Sequence, residues 1–195
     1  MSPILGIYAS QISGHLVVPN SFESIATINA TGSSASITFS SIPSTYKHLQ
    51  IRAIANSTYT ANPGYDGGAM SFNGDGTSGN YYSHYLYGDT AAHSGSVSGG
   101  GWGTGGVGII CNRSYSGQAN NYSATIMNIL DYSNTNKYKT IRTISGVNNN
   151  YSNSNQGIWF ISTLWQSTSA ITSITIATGT SYFTSNSQFA LYGVK

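Results

Sequence analysis

The chain has 195 residues, a length that suits one β-sandwich or barrel domain. Charged residues make up only 6% of it, against roughly 25% in an average soluble protein, and the net charge is +2. The basic residues are scattered and form no stripe that could follow a phosphate backbone, so nucleic acid is not expected as a partner. A surface of Ser, Thr, Asn and Gly in place of charges suits permanent contact with other protein subunits.

The cysteine content and the hydropathy of the chain's segments limit the class of protein further. Cys111 is the only cysteine, which excludes an intramolecular disulfide and every multi-cysteine metal site. The first residues lack the basic start and the uninterrupted apolar run of a signal peptide, and no segment approaches the roughly 18 apolar residues of a membrane span. We therefore expect a protein that is made in the cytoplasm and has no membrane partner.

Residues 1–20 differ from the rest of the chain. They are rich in apolar side chains, but Gly6, Gly14 and Pro19 prevent a regular helix or a long strand. Such a segment packs either on its own domain, as an ordinary first strand, or along a neighbouring subunit. The division expected is an apolar arm over residues 1–20 and a β-domain over residues 21–195. The arm residues expected to bind a partner are Ile4, Leu5, Gly6, Ile7, Tyr8, Ile12 and Leu16.

From residue 21 onward, apolar and polar residues alternate in short segments separated by Gly, Ser and Asn clusters, which is typical of strands. FESIATINA and SITFSSI are predicted to pair as a hairpin, and YKHLQIRAIAN follows as a strand with one buried side. Later strands are predicted at GGAMSFNG, YYSHYLYG, GVGIICN, YSATIMNILDY, YKTIRTISGV, GIWFISTLW, ITSITIAT and QFALYGV. The fold class predicted is all-β: a single jelly-roll-like β-sandwich of about ten strands with a short extended N-terminal arm.

Two glycine-rich segments, residues 56–68 and 93–106, are predicted to be loops. Their aromatic residues Tyr59, Tyr65 and Trp102 are candidate contacts to a partner. The second segment is either an ordered loop packed on a neighbour or a mobile surface loop, and the composition does not separate the two.

The strand YYSHYLYG carries four tyrosines, Tyr81, Tyr82, Tyr85 and Tyr87, and so presents rings on both faces. Core packing, a protein interface and a carbohydrate platform are all compatible with this pattern. His84, in the same strand, is interpreted as a half-buried residue that makes a hydrogen bond.

No constellation in the sequence indicates catalysis. Only Asp66, Asp75 and Asp89 could supply a pair of carboxylates, and the glycines beside the first two and the Gly-Asp-Thr setting of the third favour turns. The segment FNGDGTSGN lacks the bidentate Glu of a calcium loop and is interpreted as a hairpin turn. The four histidines have no metal-binding spacing. We therefore expect a protein that is not an enzyme and has no cofactor and no metal.

Four stretches together resemble a family of small virion proteins of tailed bacteriophages. They are MSPILGIYASQISG, SFESIATI, SITFSSIPSTYKHLQIR and QFALYGVK, which cover both ends and the first quarter of the chain. The resemblance implies a β-sandwich or jelly-roll module, commonly trimeric, that is attached through its N-terminal arm and closed by a last strand over residues 188–195. It carries no catalytic motif.

The chain has no coiled-coil or triple-helical repeat, which favours a compact decoration protein over a fibre shaft. The resemblance thus implies a capsid cement protein on the exterior of the virion, with the major capsid protein and its own copies, as a homotrimer, as partners. The alternative is a tail- or fibre-associated adhesin that binds a host-surface glycan.

Overall fold

The computed structural model describes residues 21–61, 64–89, 91–98, 106–113, 120–148, 156–179 and 181–195. The predicted arm and Trp102 lie outside these ranges. Within the described part, one 3-10 turn, Ser78–Asn80, is the only helical element, and no helix is long and apolar enough to cross a membrane. The described strands are β1 (Phe22–Asn29), β2 (Ser36–Phe39), β3 (His48–Ser57), β4 (Tyr65–Phe72), β5 (Tyr81–Gly88), β6 (Ala92–Ser98), β7 (Gly106–Arg113), β8 (Ser123–Ile129), β9 (Lys139–Val147), β10 (Gly157–Trp165), β11 (Ile174–Ala177) and β12 (Gln188–Val194).

The strands form two sheets. Sheet I has the order β1-β12-β3-β8-β9-β10-β5-β6, and sheet II has the order β2-β11-β4-β7, with antiparallel neighbours throughout. The last two residues of β3, Asn56 and Ser57, pair in parallel with β7 and so join the two sheets at one corner.

Eight of these strands have the order of a jelly roll. The four-stranded units β1-β12-β3-β8 and β2-β11-β4-β7 place the first strand beside the last and the second beside the last but one, as in a double-sheet jelly roll. The other four strands form two inserted hairpins, β5-β6 and β9-β10, which extend sheet I beyond β8. The predicted all-β, jelly-roll-like sandwich is confirmed, with twelve described strands where about ten were expected.

The core lies between the two sheets and follows from strict alternation. In β3, Leu49 and Ile51 are fully buried while Arg52 and Ile54 point away from the core. Their buried side faces apolar residues of sheet II in one cluster that includes Phe39, Phe72 and Ile176. A second cluster sits under the inserted hairpins and contains Val147, Trp159 and Ile161, with Tyr65, Tyr85 and Tyr87 packed against it.

The predicted hairpin between the first two strands is wrong. β1 pairs with β12 and β2 pairs with β11, so the two strands lie in different sheets. Alternation along a strand reports which side is buried but not which strand is its neighbour, and the jelly roll pairs the start of the chain with its end. The segment FNGDGTSGN is likewise not a hairpin turn, because it connects β4 of sheet II to β5 of sheet I.

Both predicted glycine-rich loops contain strand residues. Asp66 lies in β4, buried, and its Oδ2 accepts a hydrogen bond of 3.2 Å from the Ser181 hydroxyl, so its predicted turn is wrong. Residues 93–98 belong to β6, which pairs with β5 along its whole length. The ring of Tyr85 lies against Gly95, where any side chain would collide with it. Composition suggested loops because glycine and serine have low strand propensity, whereas pairing with a neighbouring strand overrides that preference.

Candidate protein-binding face

The outward side of sheet I carries large apolar side chains where a solvated sheet carries polar ones. Exposed fractions are 45% for Ile126, 53% for Ile144, 45% for Phe160 and 58% for Leu86. These four residues lie on four neighbouring strands, β8, β9, β10 and β5. Isolated exposed apolar residues are ordinary on protein surfaces, but a contiguous group marks an interaction site.

The four residues form one straight row. Ile126 is directly opposite Ile144, Ile144 is opposite Phe160, and Phe160 is opposite Leu86. With strands about 4.8 Å apart, the row spans about 14 Å across the sheet. Two more isoleucines, Ile54 and Ile158, are exposed in the next row along the strands, 55% and 65% respectively. We call the six residues the outer apolar face: Ile54, Leu86, Ile126, Ile144, Ile158 and Phe160.

The inward side of the same strands carries both apolar side chains, such as Trp159 and Ile161, and hydroxyl groups. Buried hydroxyl residues alternate with the exposed apolar ones, and they pair with one another across strands. Thr125 bonds to Ser145 at 2.6 Å, and Ser83 bonds to Thr163 at 2.8 Å. Apolar side chains therefore lie on both sides of the inserted part of sheet I, where a solvated antiparallel sheet has them on one side. A bound partner would remove the exposed apolar area from water.

A groove continues the face towards β6. It has a volume of about 420 Å³ and lies beside Leu86 and Phe160. Its polar lining includes the imidazole of His84 and the hydroxyl residues Ser94, Ser96 and Ser162. The groove is thus apolar on one side and able to form hydrogen bonds on the other.

The charged groups of this side of sheet I are cationic. Arg52 and Arg142 occupy outward positions of β3 and β9, and both are exposed. His84 also points outward and is exposed, so the half-buried position predicted for it is wrong. Its register neighbours Ser162 and Ser96 are small, which leaves the imidazole open to solvent.

The site residues predicted from the sequence do not come together in one site among the described residues. All arm residues and Trp102 lie outside the described residues. Tyr59 is half-buried after the end of β3. Tyr65 is not in a loop but begins β4, where its ring meets that of Trp159 edge-on at 4.6 Å. The structure brings neither tyrosine onto the outer apolar face, because both belong to other parts of the sandwich.

The tyrosines of β5 have three different environments. Tyr81 is fully buried, and its hydroxyl donates to the carbonyl of Asp75. Tyr82 is 39% exposed, on the same side of the sheet as Leu86. Tyr85 and Tyr87 are half-buried, and Tyr87 stacks on Trp159 at 5.7 Å between ring centroids. Core packing accounts for most of this strand.

Each of the three aspartates that could supply a pair of carboxylates accepts a structural hydrogen bond. Asp66 accepts from Ser181, Asp75 accepts from Trp165, and Asp89 accepts from its neighbour's backbone, Ala91 N. In the part of the chain that the structure describes, no group of three or more His, Cys, Asp or Glu residues could hold a metal ion.

The outer apolar face was not among the sites predicted from the sequence, although a signal for it was present. In β8, β9 and β10, apolar residues occupy positions that point to both sides of the sheet, as in ATIMNI and IWFI. That pattern indicates burial on both sides, whereas the described residues bury only one side.

Comparisons with known proteins give no family. No family model and no curated protein matches the chain. A solved structure of a protein of unknown function from Shewanella oneidensis MR-1 aligns over 100% of this chain and 95% of its own, with 11% identity and a TM-score of 0.23. A likeness at this level supports no conclusion about fold or function. The strand pairing itself defines the fold class, which is an all-β sandwich.

Proposed function

We propose that this protein is a non-enzymatic structural component of a bacteriophage virion, a capsid decoration protein that reinforces the shell by binding major capsid subunits. The observation that carries the proposal is the outer apolar face, in which four exposed apolar residues on neighbouring strands form one row and two more isoleucines are exposed in the next row. A surface of this kind is matched to permanent burial against another protein. The resemblance of both chain ends to small phage virion proteins supplies the virion context.

The assembly proposed has two kinds of contact. The N-terminal arm, with Ile4, Leu5 and Ile7, anchors the subunit to a neighbour, and the outer apolar face covers a second surface. Self-association as a homotrimer belongs to the same proposal. Binding adds stability to the folded, assembled state by mass action, so a decoration protein of this kind raises the temperature at which the shell opens.

The test is an electron cryomicroscopy reconstruction of the virion with and without this protein. A decoration protein is present in hundreds of copies arranged with the symmetry of the shell, and its removal lowers the temperature of capsid opening. A handful of copies at the tail, or absence from the particle, would overturn the proposal.

A glycan-binding adhesin is the second candidate, and the groove beside β6 favours it. Phe160 offers a ring for a sugar to pack on, and Ser94, Ser96 and Ser162 offer hydroxyls for its polar groups. Binding of purified protein to bacterial cells, competed by the isolated surface polysaccharide and lost in Phe160→Ala, would favour this candidate over decoration.

A further inference from the structure

Arg142 lies at the edge of the outer apolar face and has no hydrogen-bond or ion-pair partner among the described residues. It lies on β9 two residues before Ile144, so the two side chains point to the same side of the sheet. Its cross-strand neighbours are Asn128 and Ser162, both neutral. Within the described residues, no hydrogen bond or ion pair involves its guanidinium. A guanidinium stays charged at all ordinary pH values.

The other arginine of this side is already held. Arg52 Nε donates a hydrogen bond of 2.8 Å to Gln50 Oε1. Its guanidinium carbon lies 5.4 Å from the ring centroid of Phe22 and 5.1 Å from that of Tyr192, which are cation-π distances. Arg142 is therefore the cation of this surface whose interactions are left to a partner.

The side of sheet I that carries the outer apolar face has no acidic residue of its own, so a second copy packed face to face offers Arg142 no side-chain carboxylate there. All five acidic residues lie in the described ranges, and each already accepts a hydrogen bond or an ion pair. The pairs are Glu23 with Lys195, Asp66 with Ser181, Asp75 with Trp165, Asp89 with Ala91 N, and Asp131 with Lys137. Face-to-face pairing of two copies would bring cationic surfaces together without a counter-charge.

Covering the outer apolar face with protein would remove water from Arg142 as well as from Ile144. A guanidinium that is buried without an acceptor loses its hydration with no compensation, whereas a carboxylate gives it a bidentate partner. We propose that the outer apolar face binds a partner protein, other than a second copy, whose surface combines apolar side chains with a carboxylate that pairs with Arg142. This inference rests on the proposed function and specifies the chemistry of the capsid surface that is bound.

The experiment uses full-length protein and capsids of the phage that encodes it, assembled without this chain. Binding is measured by co-sedimentation for the wild type, Arg142→Gln, Arg142→Glu and the face variant Ile144→Ser/Phe160→Ser. Lys47→Glu is the matched control, because it makes the same charge change at an exposed position just before β3. Circular dichroism melting verifies that every variant is folded.

We expect Arg142→Glu to weaken binding by about thirtyfold or more, since one member of a buried charge pair is reversed, and Lys47→Glu to bind within about threefold of the wild type. Raising the salt concentration from about 0.05 M to about 0.5 M should weaken the wild type more than Arg142→Gln, because screening acts on the ion pair.

Other outcomes overturn the inference in distinguishable ways. If the wild type and Arg142→Glu bind equally and the face variant does not bind, the proposed carboxylate partner of Arg142 is refuted, whereas the decoration function is retained. If the wild type does not bind capsids, both the carboxylate partner and the decoration function are refuted. Concentration-dependent self-association that Ile144→Ser/Phe160→Ser abolishes would make a second copy the occupant. Arg142-dependent binding to vesicles of phosphatidylcholine and phosphatidylglycerol would make it a lipid surface.

Discussion

The indole Nε1 of Trp165, in β10, donates a hydrogen bond of 2.8 Å to Oδ2 of Asp75, in the connection between β4 and β5. The same carboxylate accepts from the side chain of Asn80 at 2.9 Å and from the backbone of Thr77 at 3.0 Å. Trp165 is buried and packs against Phe72 at 5.3 Å between ring centroids. The carboxylate of Asp75 therefore attaches the connection between the two sheets to the buried Trp165.

Replacing this carboxylate should destabilise the fold. Asp75→Asn loses a charged acceptor shared by three donors, and we expect the free energy of unfolding to fall by about 1–3 kcal/mol. Urea unfolding followed by tryptophan fluorescence measures the change. Glu23→Gln is the control, because its carboxylate bonds to Lys195 and Tyr46 at the surface, and it should lose less. An equal loss in the two variants would contradict the structural role of Asp75.

Acid should act through the same residue. Partial burial opposes ionisation of Asp75, but the hydrogen bonds from Trp165, Asn80 and Thr77 outweigh it, and its pKa lies below the usual value of 3.8. A carboxyl whose pKa is lowered by folding contributes stability above its unfolded-state pKa, and this contribution is lost as the pH falls through the folded-state pKa. The wild type should therefore lose stability more steeply than Asp75→Asn between about pH 4 and pH 2. Parallel curves over that range would refute the assignment.

Lys139, the first residue of β9, forms hydrogen bonds to the connection between β8 and β9. Its side chain is fully buried, and Nζ donates to the carbonyls of Asn134 at 2.6 Å, Lys137 at 3.0 Å and Thr168 at 3.2 Å. Burial, and then the charge of Lys137, lower its pKa. Lys139→Met keeps the packing but removes all three donors, so we expect a loss of about 2–3 kcal/mol in thermal unfolding.

The control for Lys139 is Lys137→Met. Lys137 is 55% exposed and pairs with Asp131 at the surface, so its replacement should cost less than about 1 kcal/mol. If both variants melt at the same temperature, the three buried hydrogen bonds do not stabilise the connection.

Gly193, in β12, gives room to an aromatic ring. A Cβ at this position would overlap the ring of Tyr46, whose hydroxyl bonds to Glu23 at 3.0 Å. Gly193→Ala should cost about 1–3 kcal/mol by overpacking. Gly146→Ala is the matched control in β9, because a Cβ there meets nothing within 4 Å. Chemical denaturation of the two variants distinguishes steric overlap from a general cost of replacing glycine in a strand.

The predicted arm can be tested by truncation. Deleting residues 1–19 leaves every described strand in the chain, so we expect a folded β-domain with an unchanged circular dichroism spectrum. If the arm is an anchor, the truncated protein no longer binds capsids in the co-sedimentation assay. Unchanged binding would refute the anchoring role, and an unfolded product would show that the segment is part of the domain.

Local pattern predicted the fold class because alternation depends on neighbouring residues. Leu49 and Ile51 identify the buried side of β3 without knowledge of its partners. Pairing could not be predicted in the same way, since β1 meets β12 across more than 150 residues and nothing local encodes that choice. Strand β6 was missed because its Ser and Gly residues have low strand propensity, and its formation depends on β5.

The candidate site was harder to predict than the fold. A surface row such as Ile126, Ile144, Phe160 and Leu86 exists only once four strands are placed in register, and their positions span 75 residues of sequence between Leu86 and Phe160. The scarcity of charge predicted that the protein acts by binding other protein subunits. That binding was assigned to the arm and to the aromatic loops. The structure adds a surface on sheet I that fits the same function.

The most direct test of the central claim is capsid binding by Ile144→Ser/Phe160→Ser compared with Tyr138→Ser. Tyr138 is 51% exposed in the β8–β9 connection, so it controls for loss of an exposed large side chain away from the outer apolar face. The face variant should keep the wild-type melting temperature, because its residues are exposed in the free protein, and should lose most of its capsid binding. Binding of the face variant at the wild-type level would contradict the claim that function is carried by this face.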